Sequence, residues 1–280
     1  KAVEGKRVLV TGAAMGMGRL FVERAIAEEA SAVVLWDVDE SALNTALEEL
    51  AGLVDGPTVV SGWVVDVADA AAVADTAAAV IADLGGIDVL VNNAGVVRGN
   101  RYFWETDLER DPKATIDINT LGPMYVAHEF LPAMIAESGE CRMLNLASAA
   151  GFTPNPRMAV YAASKWAVIG WSDSVRLELK QAGLDHVKVT TVCPYYVRTG
   201  MFDGARSAPL LPILDPADVV EEAWGAMLAG RPFVVMPKTV MLSEMLKGVV
   251  PTSVRDFIAD HVIGVYHTMD DFTGRAEPPG

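Results

Sequence analysis

Short apolar runs alternate along the chain with segments whose apolar residues recur every three or four positions. Short β-branched runs are typical of buried strands, and the longer spacing is typical of helices that bury one face. The pattern predicts strands at 7–11, 31–37, 58–66, 87–92, 141–148, 187–194 and 232–237, and helices at 18–30, 40–50, 69–83, 112–137, 159–181 and 216–229.

This alternation predicts an α/β protein with a Rossmann-type doubly wound parallel sheet and helices on both faces. No linker or repeat divides the sequence, so we expect a single domain over residues 1–280. Residues 239–280 follow the last strand and are predicted to form a C-terminal helical extension. Its apolar segments 240–247 and 251–265 must pack on the protein's own pocket, on a partner subunit or on a membrane surface.

The composition limits the kinds of partner that the chain is expected to bind. The chain has 280 residues and a net charge of −15, which argues against nucleic acid. Its apolar stretches fall well short of the ~20 residues that a membrane span needs. We expect a cytoplasmic protein, with peripheral membrane contact as the alternative. Cys141 and Cys193 are expected to be buried thiols, and the four histidines lack metal-ligand spacing, so no metal site is expected.

A glycine cluster, TGAAMGMG at residues 11–18, joins the first strand to the first helix. Gly12, Gly16 and Gly18 allow a ligand to approach the backbone, and the following helix N-terminus favours a pyrophosphate. Asp37 ends the second strand, where a carboxylate can bind the adenosine ribose and repel a 2′-phosphate. The pattern favours NAD over NADP. The structural alternatives are an ordinary βα turn for the glycines and, for Asp37, a cap at the strand end or at the start of helix 40–50.

A second constellation pairs Tyr161 with Lys165 in the segment VYAASKWAV. Residues four apart share one helix face, and a nearby cation lowers the pKa of a tyrosine from its ordinary value near 10. Ser148 ends the fifth predicted strand, thirteen residues before Tyr161. The structural alternatives are a half-buried tyrosine, a solvated lysine and a strand-end cap.

These motifs, in this order, resemble the short-chain dehydrogenase/reductase family over nearly the whole chain. The resemblance adds the Asp66–Val67 pair, the NNAG segment at 92–95 and Asn119. It implies catalytic roles for Asn119, Ser148, Tyr161 and Lys165, with Asn119 anchoring a water that relays a proton from Lys165. It implies cofactor contacts from Thr11, Gly12, Gly16, Met17, Gly18, Asp37, Val38, Asp66, Val67, Asn93, Ala94, Gly95, Tyr161, Lys165, Pro194, Val197 and Thr199.

The segment CPYYVRTGMF after the sixth strand departs from the family, because Tyr195 follows Pro194 where the family has glycine. With a late MDDFTGR, it is similar to the branch of retinol and 17-beta-hydroxysteroid dehydrogenases. Residues 195–215 are predicted to form a substrate lid. A lipophilic substrate is predicted by the apolar side chains there and around Ser148: Tyr195, Tyr196, Met201, Phe202, Leu210, Leu211, Ile213, Phe152, Pro154 and Met158.

The resulting functional prediction is an NAD-dependent dehydrogenase that acts on a retinoid, steroid or long-chain alcohol. The alternatives are an NADP-dependent ketoreductase acting on an acyl thioester, which Asp37 disfavours, and a non-catalytic NAD-binding regulator. The complete set of Asn119, Ser148, Tyr161 and Lys165 disfavours the regulator. The family resemblance also implies a homodimer or homotetramer.

Overall fold

A parallel seven-stranded sheet forms the centre of the structure, a computed structural model that describes residues 2–54, 56–208, 211–247 and 249–274. Its strands are β1 (Arg7–Thr11), β2 (Ala32–Asp37), β3 (Val59–Val64), β4 (Val89–Asn92), β5 (Cys141–Leu146), β6 (Val187–Pro194) and β7 (Phe233–Met236). Their order is β3-β2-β1-β4-β5-β6-β7. The winding reverses between β1 and β4, which confirms the predicted doubly wound topology.

Helices cover both faces of the sheet. They are α1 (Gly16–Ala27), α2 (Glu40–Ala51), α3 (Ala70–Leu84), α4 (Ala114–Ile116), α5 (Gly122–Ala136), α6 (Ala159–Gln181), α7 (Pro216–Leu228), α8 (Thr239–Lys247) and α9 (Thr252–Phe257). Side chains of α1, α2 and α7 pack on the face that carries Val8 and Val10. Side chains of α3, α5 and α6 pack on the face that carries Leu9. Successive side chains of β1 thus pack against the helices on opposite faces of the sheet, as strand geometry requires.

Aspartates set the start of three helices. Asp39, Asp69 and Asp215 accept hydrogen bonds from main-chain N–H groups in the first turns of α2, α3 and α7. Such caps satisfy donors that have no partner inside the helix. The carboxylate of Asp69 therefore begins α3 rather than binding a metal. In the described residues, no group of three His, Cys, Asp or Glu side chains could hold a metal ion.

The helix predicted at 112–137 is less regular than its periodicity suggests. Two π-helical turns, Glu109–Lys113 and Asp117–Leu121, flank the short α4 before α5 begins. Pro112 lies inside the first of these turns and Pro123 follows the second. Proline has no N–H to donate, so regular α-helical bonding cannot pass either position unchanged. The irregularity places Asn119 in a π-helical turn.

The C-terminal extension continues through α8 and α9 to residue 274. Val240 of α8 is buried, whereas Phe257 of α9 is mostly exposed. Residues 275–280 of the predicted extension lie outside the described residues, as does the predicted lid residue Leu210. Within the residues that the structure describes, no helix has the length and apolar character to cross a membrane.

Candidate active site

The carboxyl ends of β1, β4, β5 and β6 meet at one edge of the sheet, where a cavity opens. In parallel α/β sheets, ligands bind at this edge near the point where the strand order reverses. The structure brings together there, as lining residues, Met17, Asn93, Gly95, Val96, Leu146, Ala147, Ser148, Tyr161, Lys165, Pro194, Tyr195, Val197, Thr199, Met201 and Phe202.

The glycine loop needs the backbone freedom of its glycines. Gly12 and Gly16 have φ angles of 62° and 58°, in the left-handed region. A Cβ on Gly18 would lie 1.9 Å from the carbonyl oxygen of Gly12, so no side chain fits there. In the described residues, no side chain caps the N-terminus of α1. The loop therefore presents backbone and a helix N-terminus, the surface that a pyrophosphate binds.

Thr11, Asn93 and Ala94 tie this loop to the end of β4. The hydroxyl oxygen of Thr11 accepts hydrogen bonds from the N–H groups of Asn93 and Ala94, each at 3.1 Å. The Asn93 amide donates to the carbonyl oxygens of Thr11 and Gly12, each at 3.0 Å. Through these four hydrogen bonds, Asn93 and Ala94 hold the glycine loop in position.

Asp37 faces the glycine loop from the end of β2. Its carboxylate accepts from the N–H of Ala14 at 2.9 Å and from the N–H of Asp39 at 3.1 Å. Asp39, rather than Asp37, caps α2, which answers one structural alternative. The Asp37 carboxylate thus lies beside the glycine loop. Val38 follows it with 65% of its surface exposed.

Asp66 and Val67 follow β3, and their side chains lie in different surroundings. The Asp66 carboxylate is exposed and accepts from the N–H of Ala68 at 2.9 Å. It lines a second cleft together with Arg98 and Lys113 rather than the cavity that contains Tyr161. Val67 is buried. Of this pair, therefore, only the Asp66 side chain is exposed to a ligand.

Tyr161, Ser148 and Lys165 converge at the base of the cavity. Ser148 donates to the carbonyl oxygen of Pro194 at 3.4 Å and accepts from the N–H of Ala150 at 3.1 Å. Tyr161 and Lys165 are each only 5% exposed. Lys165 Nζ donates to the carbonyl oxygen of Leu146 at 2.9 Å and lies 5.8 Å from the centroid of the Tyr161 ring.

Burial dominates the ionisation of both groups. It raises the pKa of Tyr161 to about 12, and the hydrogen bond with Ser148 only partly opposes this. Burial also lowers the pKa of Lys165 to about 8. The direction for Tyr161 is opposite to the one expected from Lys165 alone, because removing water penalises both charged forms. Burial therefore disfavours the charged form of both side chains.

Asn119 is buried behind this pair. Its side chain accepts from the N–H of Val96 at 2.8 Å and donates to the Val96 carbonyl at 2.9 Å and to Ser164 Oγ at 3.2 Å. A Cβ on Gly95 would lie 3.3 Å from Asn119 Oδ1 and 3.6 Å from Lys165 Nζ, so this glycine separates them. Asn119 is therefore linked to α6 by its hydrogen bond to Ser164.

Ser164 is a site residue that the sequence analysis misses. Its hydroxyl donates to the carbonyl oxygen of Tyr161 at 2.7 Å, within the first turns of α6. The available signal was its place three residues after Tyr161 and directly before Lys165. A small polar residue at that spacing is also common on helix surfaces, so the sequence alone does not mark it.

The predicted lipophilic residues divide into three groups. Tyr195, Met201 and Phe202 line the cavity. Met158, Tyr196 and Ile213 lie behind it in an apolar cluster that includes Tyr161. The remaining described residues lie away from the cavity: Phe152 and Leu211 in another apolar cluster, and Pro154 at the surface.

The family model for short chain dehydrogenases matches residues 6–209, so the chain belongs to this family. It is 34% identical over 278 residues to epidermal retinol dehydrogenase 2 of Mus musculus, covering 98% of this chain and 87% of that protein. It is also 32% identical over 251 residues to estradiol 17-beta-dehydrogenase 11 of Macaca fascicularis, covering 90% and 81%.

Two solved structures share the fold. A short chain dehydrogenase/reductase from Burkholderia phymatum in complex with NAD has a TM-score of 0.78 and 26% identity, with 89% of this chain and 94% of that chain covered. A metagenomic short-chain oxidoreductase in complex with NADP has a TM-score of 0.68 and 28% identity, with 84% and 96% covered. The predicted family and fold are confirmed, and the chain is an oxidoreductase that uses a nicotinamide dinucleotide.

Proposed function

We propose that this chain oxidises a lipophilic alcohol with NAD as the acceptor, or reduces the corresponding carbonyl compound with NADH. The observation that carries the proposal is one cavity that is lined by Ser148, Tyr161 and Lys165 and also by the glycine-loop residue Met17. The proposed reacting groups and the glycine loop thus line a single cavity. A protein that only binds the cofactor has no need of that convergence.

The residues present fit a dinucleotide. Gly18 leaves no room for a side chain, and the N-terminus of α1 supplies N–H groups and a positive dipole end for the pyrophosphate. The carboxylate of Asp37 beside the loop would bind ribose hydroxyls and repel a 2′-phosphate. This supports NAD as the specific cofactor. When bound, its nicotinamide accepts or donates a hydride.

The chain's own residues supply the proton chemistry. Ser148 would donate a hydrogen bond to the substrate oxygen and hold it beside the Tyr161 hydroxyl. In oxidation, Tyr161 would take the proton from the alcohol, as a general base. Because burial raises the pKa of Tyr161 to about 12, oxidation should be faster at alkaline pH and reduction near neutral pH.

Lys165 and Asn119 would act behind Tyr161. The pKa of Lys165, lowered to about 8, suits a group that exchanges protons with the cavity. A water anchored by Asn119 remains a prediction, and the small size of Gly95 between the two side chains is compatible with it. The hydrogen bond from Asn119 to Ser164 supports a second role, positioning the first turns of α6.

The lipophilic part of the proposal rests on the wall formed by Tyr195, Met201 and Phe202. Aromatic and sulfur-containing side chains around a few polar anchors suit an apolar substrate. The names of the relatives, retinol and estradiol dehydrogenases, support the same class. An acyl-thioester ketoreductase using NADP is the second candidate, and the position of Asp37 disfavours it.

The test is an NADH-absorbance screen at alkaline pH, with retinol, steroid alcohols, long-chain alcohols and short secondary alcohols, each with NAD and with NADP. We expect NADH formation with at least one lipophilic alcohol and little NADPH formation. Faster turnover of short alcohols would contradict the lipophilic assignment. No turnover with any alcohol would contradict the proposed activity.

We further propose that residues 1–280 form one catalytic domain, with 195–215 as the lid and 239–280 as the extension, and that it assembles as a homodimer or homotetramer. The exposed Trp166 and Leu177 on α6 offer an apolar face for such a contact. Light scattering at micromolar concentration should show a dimer or tetramer. A monomer that binds liposomes would favour peripheral membrane contact instead.

A further inference from the structure

The space beside Tyr161 is filled by the chain's own side chains. Met269 is fully buried and belongs to one apolar cluster with Tyr161, Met158 and Tyr196. Phe202 bridges towards this cluster, with its ring centroid 6.0 Å from that of Tyr161. A bulky alcohol bound at Ser148 needs room next to these groups. Part of the cluster must therefore move when such a substrate binds.

Met269 lies in residues 264–274, which we call the strap. Thr268, the residue before Met269, is almost fully buried. The Thr268 hydroxyl accepts from Asn155 Nδ2 at 2.9 Å and pairs with the Tyr196 hydroxyl at 3.1 Å. The carbonyl oxygen of Thr268 accepts from the N–H of Arg206 at 2.9 Å. The strap is thus joined to the loop between Ser148 and Tyr161 and to the lid.

The strap also fits closely against the tip of the lid. The N–H groups of Thr273 and Gly274 donate to the carbonyl oxygen of Asp203, at 2.9 and 3.1 Å. A Cβ on Gly204 would lie 2.2 Å from the Asp271 carbonyl oxygen, so the strap approaches as only glycine allows. Arg206 and Asp271 form an ion pair between the two segments. These contacts join residues 203–206 of the lid to the strap and make them parts of one cover.

The strap is the part of this cover that can move at least cost. Tyr161 lies on α6, and the lid is anchored near both of its ends: the N–H of Tyr195 donates to the Met236 carbonyl oxygen at 2.7 Å, and the N–H of Leu214 donates to the Tyr196 carbonyl oxygen at 2.8 Å. The strap, residues 264–274, contains a 3₁₀ turn at Val265–His267 and no strand. Segments without strand pairing or regular α-helical bonding open more readily than elements of the core.

We propose that the strap is the movable wall of the substrate pocket and that Met269 is a specificity-determining residue. Its side chain occupies space that the apolar part of a bulky alcohol takes when the strap opens. The strap lies beyond residues 6–209, which the family model matches, so this wall is a property of the extension. The inference rests on the proposed function for the identity of the ligand.

The first test changes the size of Met269 in both directions. Met269→Ala should raise kcat/KM for a steroid alcohol relative to a short secondary alcohol by about tenfold, and Met269→Trp should lower it by a similar factor. NAD affinity should not change. Phe257→Ala, at an exposed position in the same extension, is the control. Equal effects on both alcohols, or no effect from either variant, would overturn the proposal.

The second test weakens the hydrogen bonds that hold the strap. Thr268→Val keeps the shape of the side chain but removes the hydroxyl that binds Asn155 and Tyr196. Thr268→Ser keeps the hydroxyl and is the control. Hydrogen exchange of the strap amides should be faster in Thr268→Val by about tenfold and near wild type in Thr268→Ser, with the exchange of β5 and α6 unchanged.

The exchange measurement needs no turnover, so it separates this inference from the proposed function. If the wild type oxidises no alcohol, the proposed activity fails, while strap exchange faster than that of the core still supports a movable wall. Strap amides that exchange only together with β5 and α6 would show that the strap is a fixed part of the core and would refute the inference.

Discussion

The two sides of the cavity are built in different ways. On the cofactor side, Thr11, Gly12 and Asn93 meet because β1 and β4 are neighbours in the sheet, and most of their contacts involve the backbone. On the substrate side, Tyr196 and Thr268 are 72 positions apart and meet through side-chain hydroxyls. Strand order determines the first side, whereas loop packing determines the second.

This difference teaches where specificity can change. A substitution on the cofactor side disturbs backbone geometry that any dinucleotide requires. A substitution on the substrate side alters side chains that no strand pairing depends on. We therefore expect variants of the two sides to separate cofactor binding from substrate preference, with Tyr161 as the group that both sides need.

The largest effect is expected for Tyr161→Phe, which removes the proton-transfer hydroxyl where the two sides meet. The rate constant kcat should fall about 10²–10⁴-fold, the usual contribution of general acid–base groups. NAD affinity should stay within about twofold of wild type by calorimetric titration. Tyr125→Phe, on α5, is the matched control. More than about a tenth of wild-type kcat in Tyr161→Phe would refute the general-base role.

Gly18→Ala tests the cofactor side. Its Cβ would lie 1.9 Å from the Gly12 carbonyl oxygen, so the loop must distort, and NAD affinity should fall at least about tenfold. The control is Gly170→Ala on α6, where no atom lies within 4 Å of the new Cβ. That change should stabilise the fold by about 0.5–1 kcal/mol. Wild-type NAD affinity in Gly18→Ala would argue against the pyrophosphate site.

Lys165 gives a pH signature in stability. Its pKa is lowered from 10.5 to about 8, so between these values the unfolded chain binds more protons than the folded chain. The contribution of Lys165 to the free energy of unfolding should therefore increase as pH rises through this window, by at most about 3 kcal/mol. Burial raises the pKa of Cys141 and Cys193, which opposes this gain in the same window, so the Lys165 contribution is the difference between wild type and Lys165→Met. Urea unfolding at about pH 8 and about pH 10 should show that this difference shifts in favour of wild type at the higher pH. Identical pH profiles for the two proteins would contradict the buried, depressed lysine.

A smaller effect is expected from Asp37→Ala. Wild type should bind NAD at least about tenfold more tightly than NADP, and the variant should narrow this ratio because the 2′-phosphate is no longer repelled. Asp39→Ala is the control, since its carboxylate caps α2. It should lose about 1 kcal/mol of stability and keep the cofactor ratio. Equal affinities of wild type for NAD and NADP would contradict the assignment of NAD.

Periodicity and strand-end motifs predict the strands and the positions that meet at the carboxyl edge of the sheet, while the roles of the site residues stay predictions. The strand predicted at 7–11 matches β1, and the expected site residues Ser148, Tyr161 and Lys165 lie in one cavity. These positions follow from local spacing, because parallel strands bring their carboxyl ends together. The local sequence therefore suffices to predict which residues meet, wherever their contacts follow from strand order.

The substrate side and the ionisation of the site could not be predicted in the same way. The pKa of Tyr161 depends on how completely the cavity excludes water, which is a property of the packed fold. Met269 and Tyr161 belong to one apolar cluster although they lie more than a hundred residues apart in the sequence, and no periodicity encodes this proximity. The role of Ser164 likewise becomes visible only when Asn119 is placed against α6.

The most direct test of the central claim follows the hydrogen that leaves the alcohol carbon. A lipophilic alcohol found in the screen, deuterated at that carbon, is incubated with NAD and the wild-type chain, and the recovered cofactor is analysed by mass spectrometry. The account predicts reduced cofactor that carries one deuterium, and almost none with Tyr161→Phe over the same time. Reduced cofactor without the label, or equal labelling by Tyr161→Phe, would contradict it.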